Sequence, residues 1–289
     1  MGSPAESPRR KSAARHRGDL GFLQSGRDAP TAQNFVLGEG GRLEEGPTLR
    51  VVLLDWLGVL ARETGSGEGA ELGRAVLTQK RSAEEWALAL RNVAWHEPKA
   101  TQFLADRMRE MLAHPPWRKD PTAGLLEAFD VIVFLRDPSF VPSLAGMIAN
   151  DSGMLQRAAA VALDRLAETA PFEVMTLLNN NPALLADRPF VRADYFAKAN
   201  FDDSAQRQAV ERYLGRPDVS VAEKTKFVES VALPGAFVSD NLLTPPPRLH
   251  QPERDAAASR VTGEWLRNGR FPQLRAPLQE FQKRLGAGP

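Results

Sequence analysis

The chain has 289 residues, 43% hydrophobic and 25% charged, with a formal net charge of +1. It can therefore bury a sizeable core, as one elongated domain or two compact ones. Cysteine is absent, which excludes disulfides and thiolate chemistry, and no apolar run reaches the roughly 18 residues of a membrane-spanning helix.

Residues 1–46 are rich in Gly, Ser, Pro and charge without periodicity, which predicts a mostly disordered leader. Its first 17 residues balance five basic residues against Glu6 alone: Arg9, Arg10, Lys11, Arg15 and Arg17. No apolar segment follows these charges, so no signal peptide is predicted. The compartment stays open: the cytoplasm is favoured, and the periplasm would follow if the true start lies upstream.

The first predicted helix lies at about 49–60, where apolar residues recur at helical spacing. The predicted buried stripe consists of Leu49, Val52, Leu53, Trp56, Leu57 and Leu60. Gly65, Gly67 and Gly69 follow it. A dinucleotide-binding loop would need a preceding strand and a third glycine where Ala70 stands, so these glycines predict a turn between helices.

Later segments repeat the helical pattern. Ser82 with Glu85 and Ser220 with Glu223 each form a capping-box signature, in which the two side chains satisfy amides of a first helical turn. Further helices are predicted at 99–113, 122–135, 139–150, 153–168, 171–179, 189–199, 204–215, 219–231, 254–268 and 273–285. No alternating strand pattern is found, so the predicted fold class is all-α.

The spacing of these helices, roughly 32 to 39 residues per pair, is typical of a solenoid. Residues 137–168 resemble the HEAT repeat, with Asp137 and Pro138 opening the first helix, Asp151 in the turn and Arg157 placed to reach it. Two stripes support this pair: Val141, Leu144 and Ile148 on the first helix, and Leu155, Ala159, Ala162 and Leu166 on the second. The resemblance implies one HEAT-like or armadillo-like α-solenoid domain over 47–289, and it supplies no catalytic residues.

No cofactor or metal is predicted. The four histidines are far apart and include no pair at i, i+4, and His96 is interpreted as a helix-terminal residue. Asp130 and Asp164 fall within apolar helices, where carboxylates are usually hydrogen-bonded structural groups. HEAT-like DNA glycosylases place an Asp and aromatic residues in a basic groove, but the ordered part of this chain is slightly acidic. The five tryptophans are interpreted as core.

Two segments are candidates for binding a partner. Residues 232–253 predict an extended strap, whose apolar side chains Phe237, Val238, Leu242 and Leu243 either pack down or contact a partner. Residues 192–230 concentrate aromatic side chains near cations, and Arg192, Tyr195 and Tyr213 are interpreted either as core or as a protein-binding surface.

These observations predict a non-enzymatic scaffold or adaptor that binds a protein of unknown identity. The alternative is a nucleic-acid-binding or DNA-glycosylase-like helical-repeat protein, which is less favoured on charge.

Overall fold

The computed structural model describes residues 21–23, 25–151, 153–232, 242–244 and 251–286. Within them the chain is mostly helical, which confirms the all-α class. The chain divides into two compact units. Unit 1 comprises residues 1–135 with 240–245, and unit 2 comprises residues 136–239 with 246–289.

Unit 1 contains a short antiparallel hairpin, β1 (Val36–Leu37) and β2 (Leu43–Glu45), in which Val36 pairs with Glu45. Seven helices follow: α1 (Leu49–Thr64), α2 (Glu68–Val76), α3 (Ala83–His96), α4 (Thr101–Leu112), α5 (Pro115–Lys119), α6 (Ala123–Glu127) and α7 (Asp130–Leu135). The segment predicted as one helix at 122–135 is thus two helices, α6 and α7.

The hairpin corrects the prediction for the leader. Phe35 is buried beside β1, and Leu23 is buried as well, so order begins well before Pro47. The strands are only two and three residues long, too short to show an alternating pattern in the sequence. Residues 1–20 of the predicted leader lie outside the described residues.

The centre of unit 1 is α3, which packs against α1, α2, α4 and α6. This helix is buried almost all round, including Ala87, Leu88, Arg91 and Asn92. Gly65 caps α1 in the left-handed region at φ 70° and Gly67 caps the start of α2, so these two glycines form the predicted turn, whereas Gly69 lies within α2.

Unit 2 contains eight helices within the described residues: α8 (Val141–Asn150), α9 (Gly153–Thr169), α10 (Pro171–Asn180), α11 (Pro189–Phe196), α12 (Ser204–Gly215), α13 (Val221–Ala232), α14 (Gln251–Arg267) and α15 (Arg275–Gly286). Strong packing joins α8 to α9, α10 to α12, α11 to α13 and α14 to α15. None of the helices in the described parts of either unit is long and apolar enough to cross a membrane.

The stretch that resembles the HEAT repeat forms the pair α8 and α9. Both predicted stripes are buried, and Asp137 accepts a hydrogen bond from the Ser139 amide at the start of the first turn. Arg157 is exposed on the second helix. The buried apolar stripes hold the two helices together.

Candidate functional site

The structure buries a different face of α1 from the one that the sequence predicted. The face turned into unit 1 carries Arg50, Val51, Leu54, Leu57, Gly58 and Ala61. Of the predicted stripe only Leu57 belongs to this face, so the rest of that stripe lies on the opposite side. The prediction was wrong because α1 is apolar nearly all round, and periodicity alone does not select one face.

At the start of α1, a buried ion pair determines which face of the helix is turned into the unit. Arg50 donates from Nε and Nη2 to the two carboxylate oxygens of Glu85 on α3, each at 3.0 Å. Its Nη1 donates to the carbonyl oxygen of Leu23 at 2.6 Å. Both charged side chains are almost fully buried, so turning this face outward would separate a fully hydrogen-bonded pair.

Close packing selects the same face further along the helix. A side chain at Gly58 would collide with Asn92, because a Cβ built there lies 2.1 Å from the amide oxygen. Asn92 donates to the carbonyl oxygen of Leu54 at 3.0 Å. Glycine therefore allows α1 and α3 to approach closely enough for this hydrogen bond.

A second buried arginine lies beside these contacts. Arg91 on α3 is fully buried, pairs with Asp55 and donates to the carbonyl oxygen of Gly41 at 2.8 Å. Burial lowers the pKa of Arg91, and the attraction of Asp55 opposes that effect. Asp55 also accepts from the Leu43 amide of β2 at 3.1 Å, which holds the hairpin against α1.

With this face turned in, apolar side chains remain on the outside of α1. Trp56 and Leu49 of α1 are 43% and 36% exposed. Leu53 and Leu60 are partly exposed and lie on the same helix face, because positions 49, 53, 56 and 60 follow one another at helical spacing. We call these four residues the α1 outer face. Trp56 was interpreted as core from the sequence, and its exposure corrects that interpretation.

The aromatic candidates of unit 2 are interior residues. Tyr213 stacks on Phe196 with ring centres 3.9 Å apart and donates to Glu223 at 2.8 Å. Arg192 pairs with both oxygens of Glu223 at 2.7 and 2.9 Å, which raises the pKa of Arg192. Tyr195 is buried too, and burial raises its pKa far above the ordinary value. The structure places Arg192, Tyr195 and Tyr213 in the core rather than on a surface.

The predicted strap is described only at Leu242, Leu243 and Thr244, which belong to unit 1. Leu242 is fully buried and Leu243 is partly buried. Their anchor is Asp130, which accepts hydrogen bonds from the amides of Leu243 at 2.6 Å and Thr244 at 3.0 Å. Phe237 and Val238 lie outside the described residues, and 251–253 are the first turn of α14.

Unit 2 contains one further concentration of buried charge. Lys198 contacts Asp164 at 3.0 Å and Glu168 at 2.8 Å. Burial raises the pKa of Asp164 despite the opposing attraction of Lys198. These are charge-paired structural groups of the kind expected for Asp164. Among the residues that the structure describes, no three His, Asp or Glu side chains converge into a metal site.

A mostly apolar groove of about 300 Å³ lies between α13 and α15 of unit 2. Its lining includes the apolar side chains Val228, Pro277 and Phe281 and the charged side chains Glu229, Glu280 and Arg284. Glu280 and Arg284 pair with each other along α15.

Comparison of the chain with protein-family models, with curated proteins and with solved structures finds no match.

Proposed function

We propose that the protein is a non-enzymatic HEAT-like helical scaffold that binds another protein through the α1 outer face. The observation that carries this proposal is the exposure of Trp56 together with Leu49 on one face of α1. Clustered apolar side chains on a folded surface mark interaction sites more often than scattered ones do. Tryptophan is also enriched among the residues that dominate binding energy at protein interfaces.

The rigidity of this surface supports the proposal. Its helix is held from behind by Arg50 and Asp55, whose ion pairs with α3 are almost fully buried. A preorganised face pays little conformational entropy when a partner binds. The packed pair α8 and α9, with both of its apolar stripes buried, supports the helical-repeat part of the proposal.

The experiment compares affinity capture from the source cells by the wild-type chain and by Trp56→Glu. Phe172→Glu is the matched control, because Phe172 is 40% exposed on a helix of unit 2 and receives the same charge. We expect a saturable partner that is retained by wild type and Phe172→Glu and lost with Trp56→Glu. Equal capture by all three proteins would contradict the α1 outer face as the binding surface.

The same proteins are used to test the alternative function, nucleic-acid binding. Binding through phosphates requires affinity for a labelled duplex to fall by orders of magnitude between about 50 and 200 mM salt. Protein binding through an apolar face predicts little change over that range, because few ions are released.

A further inference from the structure

In unit 1, the Leu242–Thr244 segment is held by hydrogen bonds of the kind that bind a peptide to a protein. Asp130 is nearly buried, and its carboxylate accepts from two consecutive main-chain amides, those of Leu243 and Thr244. The hydroxyl of Thr244 also donates to this carboxylate. A carboxylate that accepts several donors forms strong, directional, charge-assisted hydrogen bonds. Two of these three donors belong to the main chain, and any peptide can supply them.

Side-chain selectivity comes from the two ends of the short segment. Leu242 is fully buried, so its apolar side chain is enclosed by the folded protein. Thr244, two residues later, supplies the hydroxyl donor. An apolar anchor followed at this spacing by a hydroxyl is a compact recognition pattern, in which the main chain gives affinity and the side chains give specificity.

The route of the chain shows that this segment is an insert. Residues 136–239 and 246–289 belong to unit 2, and only 240–245 join unit 1. The described residues of the insert form no helix or strand. Unit 1 therefore holds a short irregular peptide that comes from far along the sequence, 113 residues beyond Asp130.

We infer that the Asp130 site is a peptide-binding site that the chain's own Leu242–Thr244 segment occupies. Its external ligand is a short peptide of another protein, with an apolar residue two positions before a threonine or serine. The segment in cis acts as a built-in competitor at an effective concentration of about a millimolar, so a ligand must reach a comparable concentration or bring further contacts to displace it. This inference goes beyond the proposed function and does not depend on the α1 outer face.

The test uses the full chain and a fluorescein-labelled peptide with the sequence of residues 240–247, DNLLTPPP. Leu242→Asp combined with Thr244→Ala disables the segment in cis. By fluorescence anisotropy, we expect this double variant to bind the peptide at least about tenfold more tightly than wild type, whose site is occupied. The control peptide carries the same two changes and is expected not to bind.

A third substitution tests the carboxylate itself. Asp130→Asn, added to the double variant, keeps the shape of the side chain but removes the charged acceptor. The affinity for the peptide should then fall by about tenfold or more. A folded double variant that fails to bind the peptide, or binding that Asp130→Asn leaves unchanged, would overturn the inference.

A second measurement applies if the double variant does not fold. Excess unlabelled peptide is added to wild type, and hydrogen exchange is followed at the amides of Leu243 and Thr244. Displacement of the cis segment should accelerate exchange at both amides, because they lose their acceptor. Unchanged exchange at millimolar peptide would refute the inference without any variant. Loss of partner capture with Trp56→Glu has no bearing on either outcome.

Discussion

Units 1 and 2 each contain a serine-capped helix whose third residue is a buried glutamate. In α3 the amide of Glu85 donates to the Ser82 hydroxyl at 3.1 Å, and in α13 the amide of Glu223 donates to Ser220 at the same distance. In neither helix does the glutamate complete a capping box. Each carboxylate instead receives Nε and Nη2 of an arginine from another helix, Arg50 or Arg192.

The two arginines also resemble each other at Nη1, which donates to a main-chain carbonyl oxygen in both units. Nη1 of Arg50 donates to the Leu23 carbonyl oxygen at 2.6 Å, and Nη1 of Arg192 donates to the Pro182 carbonyl oxygen at 2.9 Å. Each pair thus ties a capped helix, a second helix and a connecting segment together. A bidentate arginine offers this geometry because its donors are fixed in one plane.

The difference lies in the number of donors that the glutamate receives. The carboxylate of Glu223 has a third donor in the buried hydroxyl of Tyr213, and burial raises the pKa of that hydroxyl well above its ordinary value. No tyrosine contacts Glu85 among the described residues. The cluster in unit 2 therefore has more groups that would lose their partner if the glutamate were removed.

Glu223→Ala is expected to have the largest effect. It leaves Nε and Nη2 of Arg192 and the Tyr213 hydroxyl buried without their acceptor, so the free energy of unfolding of unit 2 should fall by about 4 to 5 kcal/mol. Urea unfolding measures this change. The paired substitution Glu223→Leu with Arg192→Met removes both charges and should lose less, and a loss under about 1 kcal/mol for the single variant would contradict the role of the pair.

Glu85→Ala should have a smaller effect in unit 1. It leaves only Arg50 without its acceptor, and the expected loss in the free energy of unfolding is about 3 kcal/mol. Urea unfolding, followed with a spectroscopic probe in unit 1, tests whether Glu85→Ala loses less unfolding free energy than Glu223→Ala. If Glu85→Ala proved more damaging than Glu223→Ala, the extra donor would not explain the difference between the units.

Tyr213→Phe makes the cluster of unit 2 resemble that of unit 1. It removes the third donor while Glu223 keeps both bonds from Arg192, so a loss of about 1.5 kcal/mol is expected. In the Tyr213→Phe background, Glu223→Ala should then cost about as much as Glu85→Ala does in unit 1. Additive losses for the two substitutions in unit 2 would show that the groups act independently.

The smallest expected effect is a pH dependence of opposite sign in the two units. Burial raises the pKa of Asp164 above 3.8 in unit 2, so the folded state holds the proton more tightly than the unfolded state. The stability that Asp164 contributes therefore falls as pH rises through the raised pKa. The difference in unfolding free energy between wild type and Asp164→Asn should be more favourable to wild type near about pH 4 than near about pH 7.

Glu97 of unit 1 provides the contrast. Its hydrogen bonds from Arg74 lower the pKa of Glu97 below 4.5, so its contribution is present at neutral pH and is lost as pH falls through the lowered pKa. The free energy of unfolding of wild type should therefore increase relative to that of Glu97→Gln as pH rises from about 3 to about 7. Slopes of the same sign for both variants would contradict the assigned causes.

Most of the helices could be predicted from the sequence because their signals are local. The amides of Glu85 and Glu223 donate to Ser82 and Ser220 as the capping signature requires. The helix predicted at 204–215 has those bounds in the structure. The hairpin Val36–Glu45 could not be predicted, because strands of two and three residues depend on what they pack against.

The candidate surfaces could be predicted only in part. The sequence singled out Leu242 and Asp130 separately, and only the fold shows that they belong to one site. Arg192, Tyr195 and Tyr213 carry the composition of an interface, but their neighbours bury them. Aromatic and arginine side chains suit both a core and an interface, so composition does not distinguish the two.

The amino-acid sequence by itself determined the all-α class, the helix starts at capped serines and the turn at Gly65, since these depend on neighbours within one or two turns. The tertiary structure decided which face of α1 is buried, which carboxylates are paired and where the strap is anchored. Those outcomes depend on Arg50 meeting Glu85, on Gly58 admitting Asn92 and on Asp130 meeting Thr244. Such contacts join residues that are 34 to 114 positions apart, and no local pattern records them.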